Sequence, residues 1–188
     1  MTSKPNKILI SGTGRCGTTF LIKLFTFMEF DTGFTKQTYQ ESIFSNCNAG
    51  MELRITAPHL VLKWPRFLDQ IPEIVSQYTI QYMILPIRNY EQSAESRVRH
   101  GTLPGGLRDA DSKETQITHY YKIIAEYVYH MTRYDIPTIF IDFERMITDK
   151  MYLYDRLRPI FDLYHKSFDI FSEAYDWSSV TSKPSTVS

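Results

Sequence analysis

The sequence predicts a single α/β domain with a mainly parallel sheet flanked by helices. Three observations carry this prediction. Apolar runs of strand length alternate with segments of helical periodicity, the layout that places crossover helices between parallel strands. The first run ends in a glycine-rich turn that opens a helix. The 188 residues suffice for one sizeable core and are too few for two ordinary enzyme domains.

The elements follow in order. "KILISG", residues 7–12, is the first strand and ends in glycine. Residues 18–29 are apolar on nearly every face, as suits a helix buried against a sheet. "HLVLKWP", 59–65, is a second strand stopped by Pro65, and "FLDQIPEIVSQY", 67–78, a short helix and turn. "YTIQYMILPIRN", 78–89, is the third strand, and its polar end at Arg88 and Asn89 should lie at the carboxyl edge, where open α/β sheets bind ligands. A helix follows over residues 90–100. "GTLPGGLRDADS", 101–112, with its glycines and proline, marks a mobile surface loop and a candidate lid. Asp111 with Glu114 makes a capping box for the next helix, where Ile117, Tyr121, Ile124, Val128 and Met131 form an apolar stripe at helical spacing. "IPTIFIDFE", 136–144, is the fourth strand, and "DKMYLYDRLRPIFDLY", 149–164, is helical despite Pro159. From residue 172 the chain reads as an irregular tail. No internal repeat stands out.

Composition removes several classes of function. The 21 basic residues balance the 21 acidic ones, so no global field exists to hold a nucleic acid, and any anion site must be built locally. The most apolar window, residues 20–30, is interrupted by Lys23 and Glu29 and falls short of the roughly 18 to 20 residues that span a bilayer. The N-terminus shows no basic and apolar leader, so a cytoplasmic location without membrane attachment is expected. Cys16 and Cys47 form no disulfide or zinc pattern, which agrees with a reducing compartment. Nothing in the sequence sets an oligomeric state.

The stretch "ILISGTGRCGTTF", 8–20, meets two phosphate-binding patterns and completes neither. Gly12, Gly14 and Gly17 fit the G-x-G-x-x-G of a dinucleotide turn, while residues 12–19 fit G-x-x-x-x-G-K-[ST] with Thr18 in the lysine position. The dinucleotide reading wants an acid about 20 positions on, and Asp31 stands there, but residues 19–30 leave too little room for both a helix and a strand. The nucleoside-triphosphatase reading wants a lysine on the β- and γ-phosphates, which Thr18 does not supply, and its nearest magnesium ligand, Asp142, is only generic. A phosphatase nucleophile at Cys16 wants an arginine where Ile22 stands. In a third arrangement Arg15 carries the cation, and backbone N–H groups with the Thr18 and Thr19 hydroxyls wrap an anion at the helix N-terminus.

At this point the chain resembles the sulfotransferases that use 3′-phosphoadenosine 5′-phosphosulfate (PAPS). Their phosphosulfate loop runs [KR]-[ST]-G-[TS]-[TS]-[WF]-L after a strand, and here it reads "RCGTTFL", with Cys16 in place of the small hydroxyl residue. In that family a strand ends in an arginine and a serine follows eight residues later, as Arg88 and Ser96 do in "RNYEQSAES". An arginine fork matches two phosphate oxygens and a nearby hydroxyl adds a third bond, so the resemblance implies that the pair holds the 3′-phosphate. Arg97 and Arg99 are read as a solvated helix face. "LVLKWPRFLDQIPEI" is similar to the K-x-P segment of the bacterial and Golgi-type branch, and "TIFIDFERMITDKMYLYDRLRPIFDL" to the family's strand, acidic turn and helix. The resemblance runs from residue 8 to about residue 163 and implies a P-loop nucleoside-triphosphatase-like fold.

It also implies an activity: in-line transfer of a sulfuryl group from PAPS to a hydroxyl or amine of a small-molecule or carbohydrate acceptor, without a metal, leaving 3′-phosphoadenosine 5′-phosphate (PAP). Gly14, Arg15, Cys16, Gly17, Thr18, Thr19 and Phe20 would surround the 5′-phosphosulfate and adenine, with Phe20 stacking on the base. Arg15 and Lys63 would neutralise the sulfonate and the bridging oxygen. The strand reading places Lys63 at a sheet edge facing the glycine loop and outside the core. Cytosolic relatives carry a histidine two residues after the lysine, where this chain has Pro65, so the chain is unlike that branch. Other branches take their general base from the segment after the first helix, where Glu41 stands. Glu52, His59 and His100 are the further candidates. Two other readings stay open: a P-loop kinase without its lysine, and a binding module that keeps the nucleotide site but lacks a base.

Overall fold

The computed structural model describes residues 3–44, 47–101 and 105–180. Strands β1 (Asn6–Ile10), β2 (Val61–Lys63), β3 (Thr79–Ile87) and β4 (Thr138–Asp142) form one parallel sheet in the order β2-β1-β3-β4. The connections run through α1 (Thr18–Phe27), α2 (Ile71–Gln77), then α3 (Tyr90–His100) with α4 (Lys113–Arg133). After β4 come α5 (Phe143–Thr148), α6 (Lys150–Leu163) and α7 (Phe168–Val180). The chain leaves β1 to β2 on one side and adds β3 on the other. Such a switch in direction opens a crevice at the carboxyl ends of the two diverging strands. The glycine loop leaves β1 there, and Arg88 leaves β3 beside it.

Strand alternation sorts side chains onto two faces. Ile8, Ile10 and Ile84 pack with Leu21, Phe25, Phe161 and Phe171, which come from α1, α6 and α7. Leu9, Leu62 and Met83 pack on the opposite face with Ile71, Ile74, Tyr127 and Met131 from α2 and α4. With both faces covered, the strands read as nearly continuous apolar runs. A register shift between Lys7 and Ile8 moves the β1 pairing from Ile80 to Tyr82, so Ile80 joins Met83 on the second face. Among the described residues no helix is long and apolar enough to cross a membrane.

Three expectations about helices are corrected. The cap of α4 is Ser112 with Thr115, each side chain bonded to the other's backbone N–H, while Asp111 accepts from the Thr115 hydroxyl. The buried stripe of α4 is Gln116, Tyr120, Tyr127 and Met131, whereas Tyr121 and Val128 face solvent. Tyrosine allows either phase because its ring is apolar and its hydroxyl needs a partner, and the inward positions supply one to each buried ring: Arg97 for Tyr120 and Ser11 for Tyr127. The expected irregular tail from residue 172 is instead helical through Val180, with Phe171, Ala174 and Tyr175 buried against α1, and residues 181–188 lie outside the described residues. The expected lid at 101–112 lies in part, at 102–104, outside the described residues.

Candidate functional site

The site begins with backbone geometry. Gly14, Arg15 and Gly17 all take the left-handed region, at φ of 83°, 56° and 87°, which turns the chain sharply between β1 and α1. A Cβ at Gly14 would collide with the Arg97 guanidinium, and one at Gly17 with Met146 and the Phe143 ring. Gly17 is also the N-cap of α1. It offers no side-chain cap, and the first turn contains no acidic residue. The leading N–H groups of α1 thus receive no cap from Gly17, and they stand at the positive end of the helix dipole.

A cavity of about 550 Å³ opens in front of that helix end. Gly14, Arg15, Gly17, Thr18, Thr19 and Phe20 line it, together with Lys63 from β2 and Arg88 from the end of β3. The structure thus gathers most of the expected site residues in one place. Cys16 is the exception within the loop: its side chain is fully buried and absent from the lining. Burial pushes its thiol pKa up, so only its backbone is available to an anion. Phe20 lines the cavity with its ring edge-on to Tyr175, the centroids 5.6 Å apart.

Arg15 donates from Nε to the Ser96 hydroxyl at 3.0 Å, and its Nη2 lies 3.1 Å from His100 Nε2. Burial and the like charges of Arg97 and Arg88 lower its pKa. Arg88 donates to the Arg15 carbonyl at 3.2 Å, stacks over Phe143 at 4.5 Å and lies 3.9 Å from Glu144. Its Nε is buried and has no hydrogen-bond partner among the described residues. Arg88 and Ser96 are therefore joined through Arg15. Ser96 itself does not line the cavity.

Lys63 departs from expectation in its burial. It is only 3% exposed, and its ammonium donates to the Gly50 carbonyl at 2.8 Å and to Glu52 Oε1 at 3.0 Å. Burial lowers its pKa, and the Glu52 carboxylate opposes the shift. Glu41, expected as the base, is exposed on a short 3-10 turn, Tyr39–Ser42, and does not line the cavity. Among the described residues Glu52 is the carboxylate that does. His59 is held by Asp31 at 2.7 Å, away from the lining.

Arg97 was missed. Read as a solvated residue, it is buried behind Gly14, and its guanidinium donates to Tyr120, Gly106 and Thr13. Phe143 and Arg108 also join the lining without any signal in the sequence.

No family model matches the chain, and no curated protein matches it in sequence. Among solved structures it is similar to retinol dehydratase crystallised with androsterone and the inactive cofactor PAP, with a TM-score of 0.53 at 15% identity. The match covers 97% of this chain and 66% of that one, so this chain spans just under two thirds of that protein's length. At this identity the likeness is one of architecture: the chain is a single α/β domain, a parallel sheet flanked by helices, with a P-loop-like turn after its first strand.

Proposed function

We propose that this protein is a sulfotransferase that moves a sulfuryl group from PAPS to a hydroxyl or amine of an acceptor. One observation carries the reading: the uncapped N-terminus of α1 meets the guanidinium groups of Arg15 and Arg88 in one cavity, with Thr18 where a triphosphatase would have lysine. The donor set fits a nucleotide with two separate anionic groups. Loop and first-turn N–H groups with Arg15 serve one group, and Arg88, whose buried Nε has no hydrogen-bond partner among the described residues, serves the other. The similar solved structure, crystallised with PAP, supports the same choice. When bound, PAPS supplies a sulfuryl group on a phosphate leaving group.

The chain's own residues then position and neutralise. Ser96 orients Arg15 and keeps a hydroxyl proton to donate. Lys63 anchors the Glu52 carboxylate at the cavity wall. Glu52 replaces Glu41 as the proposed base, accepting the acceptor's proton as its oxygen or nitrogen attacks.

Calorimetry with PAP and ATP tests the cofactor. PAP binding with ATP rejected supports the reading, and the reverse favours a kinase. Acceptor-dependent release of PAP across a panel of hydroxyl and amine compounds separates an enzyme from a binding module. Glu52→Gln is expected to lower kcat by about 10² to 10⁴, the range of general-base catalysis, while PAP affinity changes only a few-fold. Such a loss in Glu41→Gln, with Glu52→Gln unaffected, would return the role to Glu41.

A further inference from the structure

Among the described residues, Arg97 carries a charge that no carboxylate balances. It is 6% exposed, lies one residue past Ser96 on α3, and lines the cavity behind Gly14. Its donors all end on neutral oxygens: Nε on the Tyr120 hydroxyl at 2.8 Å, Nη2 on the Thr13 carbonyl at 3.2 Å, Nη1 on the Gly106 carbonyl. Among the described residues no carboxylate lies within ion-pair distance of it. Arg15, its neighbour in the loop, bonds to Ser96 and His100 and is likewise outside any ion pair among those residues. A buried cation is costly unless an anion offsets it, and carbonyl dipoles only reduce that cost. Buried Arg97 and half-buried Arg15 meet beneath one glycine loop, beside a helix end that Gly17 leaves uncapped, and together they favour a counter-anion there.

The same side chain joins two segments. Thr13 belongs to the glycine loop, and Gly106 to residues 105–108, whose Arg108 lines the cavity and donates its N–H to Gln116 at 2.8 Å.

We propose that Arg97 is the positioning residue of the anion site: it sets positive charge under the glycine loop and ties residues 105–108 to that loop. An anion held by the loop therefore also firms the segment that brings Arg108 to the cavity. This rests on the anion-site part of the proposed function and is independent of which nucleotide binds. A purely structural arginine needs only its fork of donors, whereas this role needs its charge.

Inorganic pyrophosphate is the probe, because it needs no adenine contact. It is titrated into the full chain and into Arg97→Lys, which keeps the charge, and Arg97→Gln, which keeps neutral donors. Arg97→Gln is expected to weaken pyrophosphate binding by about tenfold or more, the scale of a lost bond to a charged group, and Arg97→Lys to recover most of it. Wild-type affinity in Arg97→Gln, or equal losses in both variants, would overturn the role. In the unmutated chain, amide hydrogen exchange at residues 105–108 is expected to slow when pyrophosphate saturates the site. Unchanged exchange overturns the tie, whatever the variants' stability. Pyrophosphate binding without PAP binding sinks the sulfotransferase reading and leaves Arg97 its role; binding of neither removes both.

Discussion

At the scale of single residues, charge and hydrogen bonding decide what each group does. Arg88 is expected to bind a terminal phosphate, since its Nε is buried at the cavity wall with no hydrogen-bond partner among the described residues. Arg88→Ala should weaken PAP binding by about 1.5–3 kcal/mol, and the loss should vanish for a nucleotide without the 3′-phosphate. Equal losses for both ligands in calorimetry would make Arg88 structural. His100 sets a pH dependence. Burial, with the charges of Arg15, Arg99 and Arg97, holds its imidazole pKa below the ordinary value. The folded protein then binds fewer protons there than the unfolded chain, so this stability is present above about pH 6.5 and is lost as pH falls toward the lower folded value. Denaturant unfolding should show the wild type losing stability relative to His100→Gln over that window. Parallel curves would show that folding does not lower the His100 pKa. Arg15 and Arg88 were readable because each sits at a fixed offset from a strand end. Arg97 was not, because nothing local tells a buried guanidinium from a solvated one when its acceptors lie 9, 23 and 84 residues away.

At the scale of elements, α1 ties the loop to the core. Every residue from 19 to 27 is buried, so the helix needs cover on the side away from the sheet, and α7 supplies it through Phe171, Ala174 and Tyr175. Phe171 also packs against Phe161 and Tyr154 of α6, the centroids 5.5 and 5.2 Å apart. Phe171→Ala should cost about 3–5 kcal/mol in equilibrium unfolding, the range for a buried aromatic. A cost under about 1 kcal/mol would mean that α7 is a loosely held appendage. The sequence hid α7 although Ser167 caps it, accepting from the Ile170 N–H at 3.4 Å, because its helicity comes from packing on α1. For α4 the period was readable and its phase was not, since tyrosines stand at 120, 121, 127 and 129 and only tertiary partners choose among them.

At the scale of the whole molecule, the cavity draws on both halves of the chain, from the glycine loop to Phe143, so a ligand that fills it should stabilise the entire fold. PAP at a hundredfold excess over its Kd is expected to add about 2.7 kcal/mol. For a domain of this size that raises the calorimetric midpoint by about 5–10 °C. An unchanged midpoint would remove PAP as the ligand. The sequence by itself determined the four strands, the parallel α/β class and the loop that turns into α1, because those rest on local periodicity and on glycines whose left-handed conformations are a local demand. It also chose Arg15, Lys63 and Arg88, which the fold brings to one cavity. Only the tertiary structure decided that Glu52 lines the cavity while Glu41 stays in solvent, that Lys63 is buried, and that Arg97 lies under Gly14. The reason is physical: burial and charge pairing belong to groups distant in sequence, and a side chain's own neighbours along the chain do not encode which of them will exclude water.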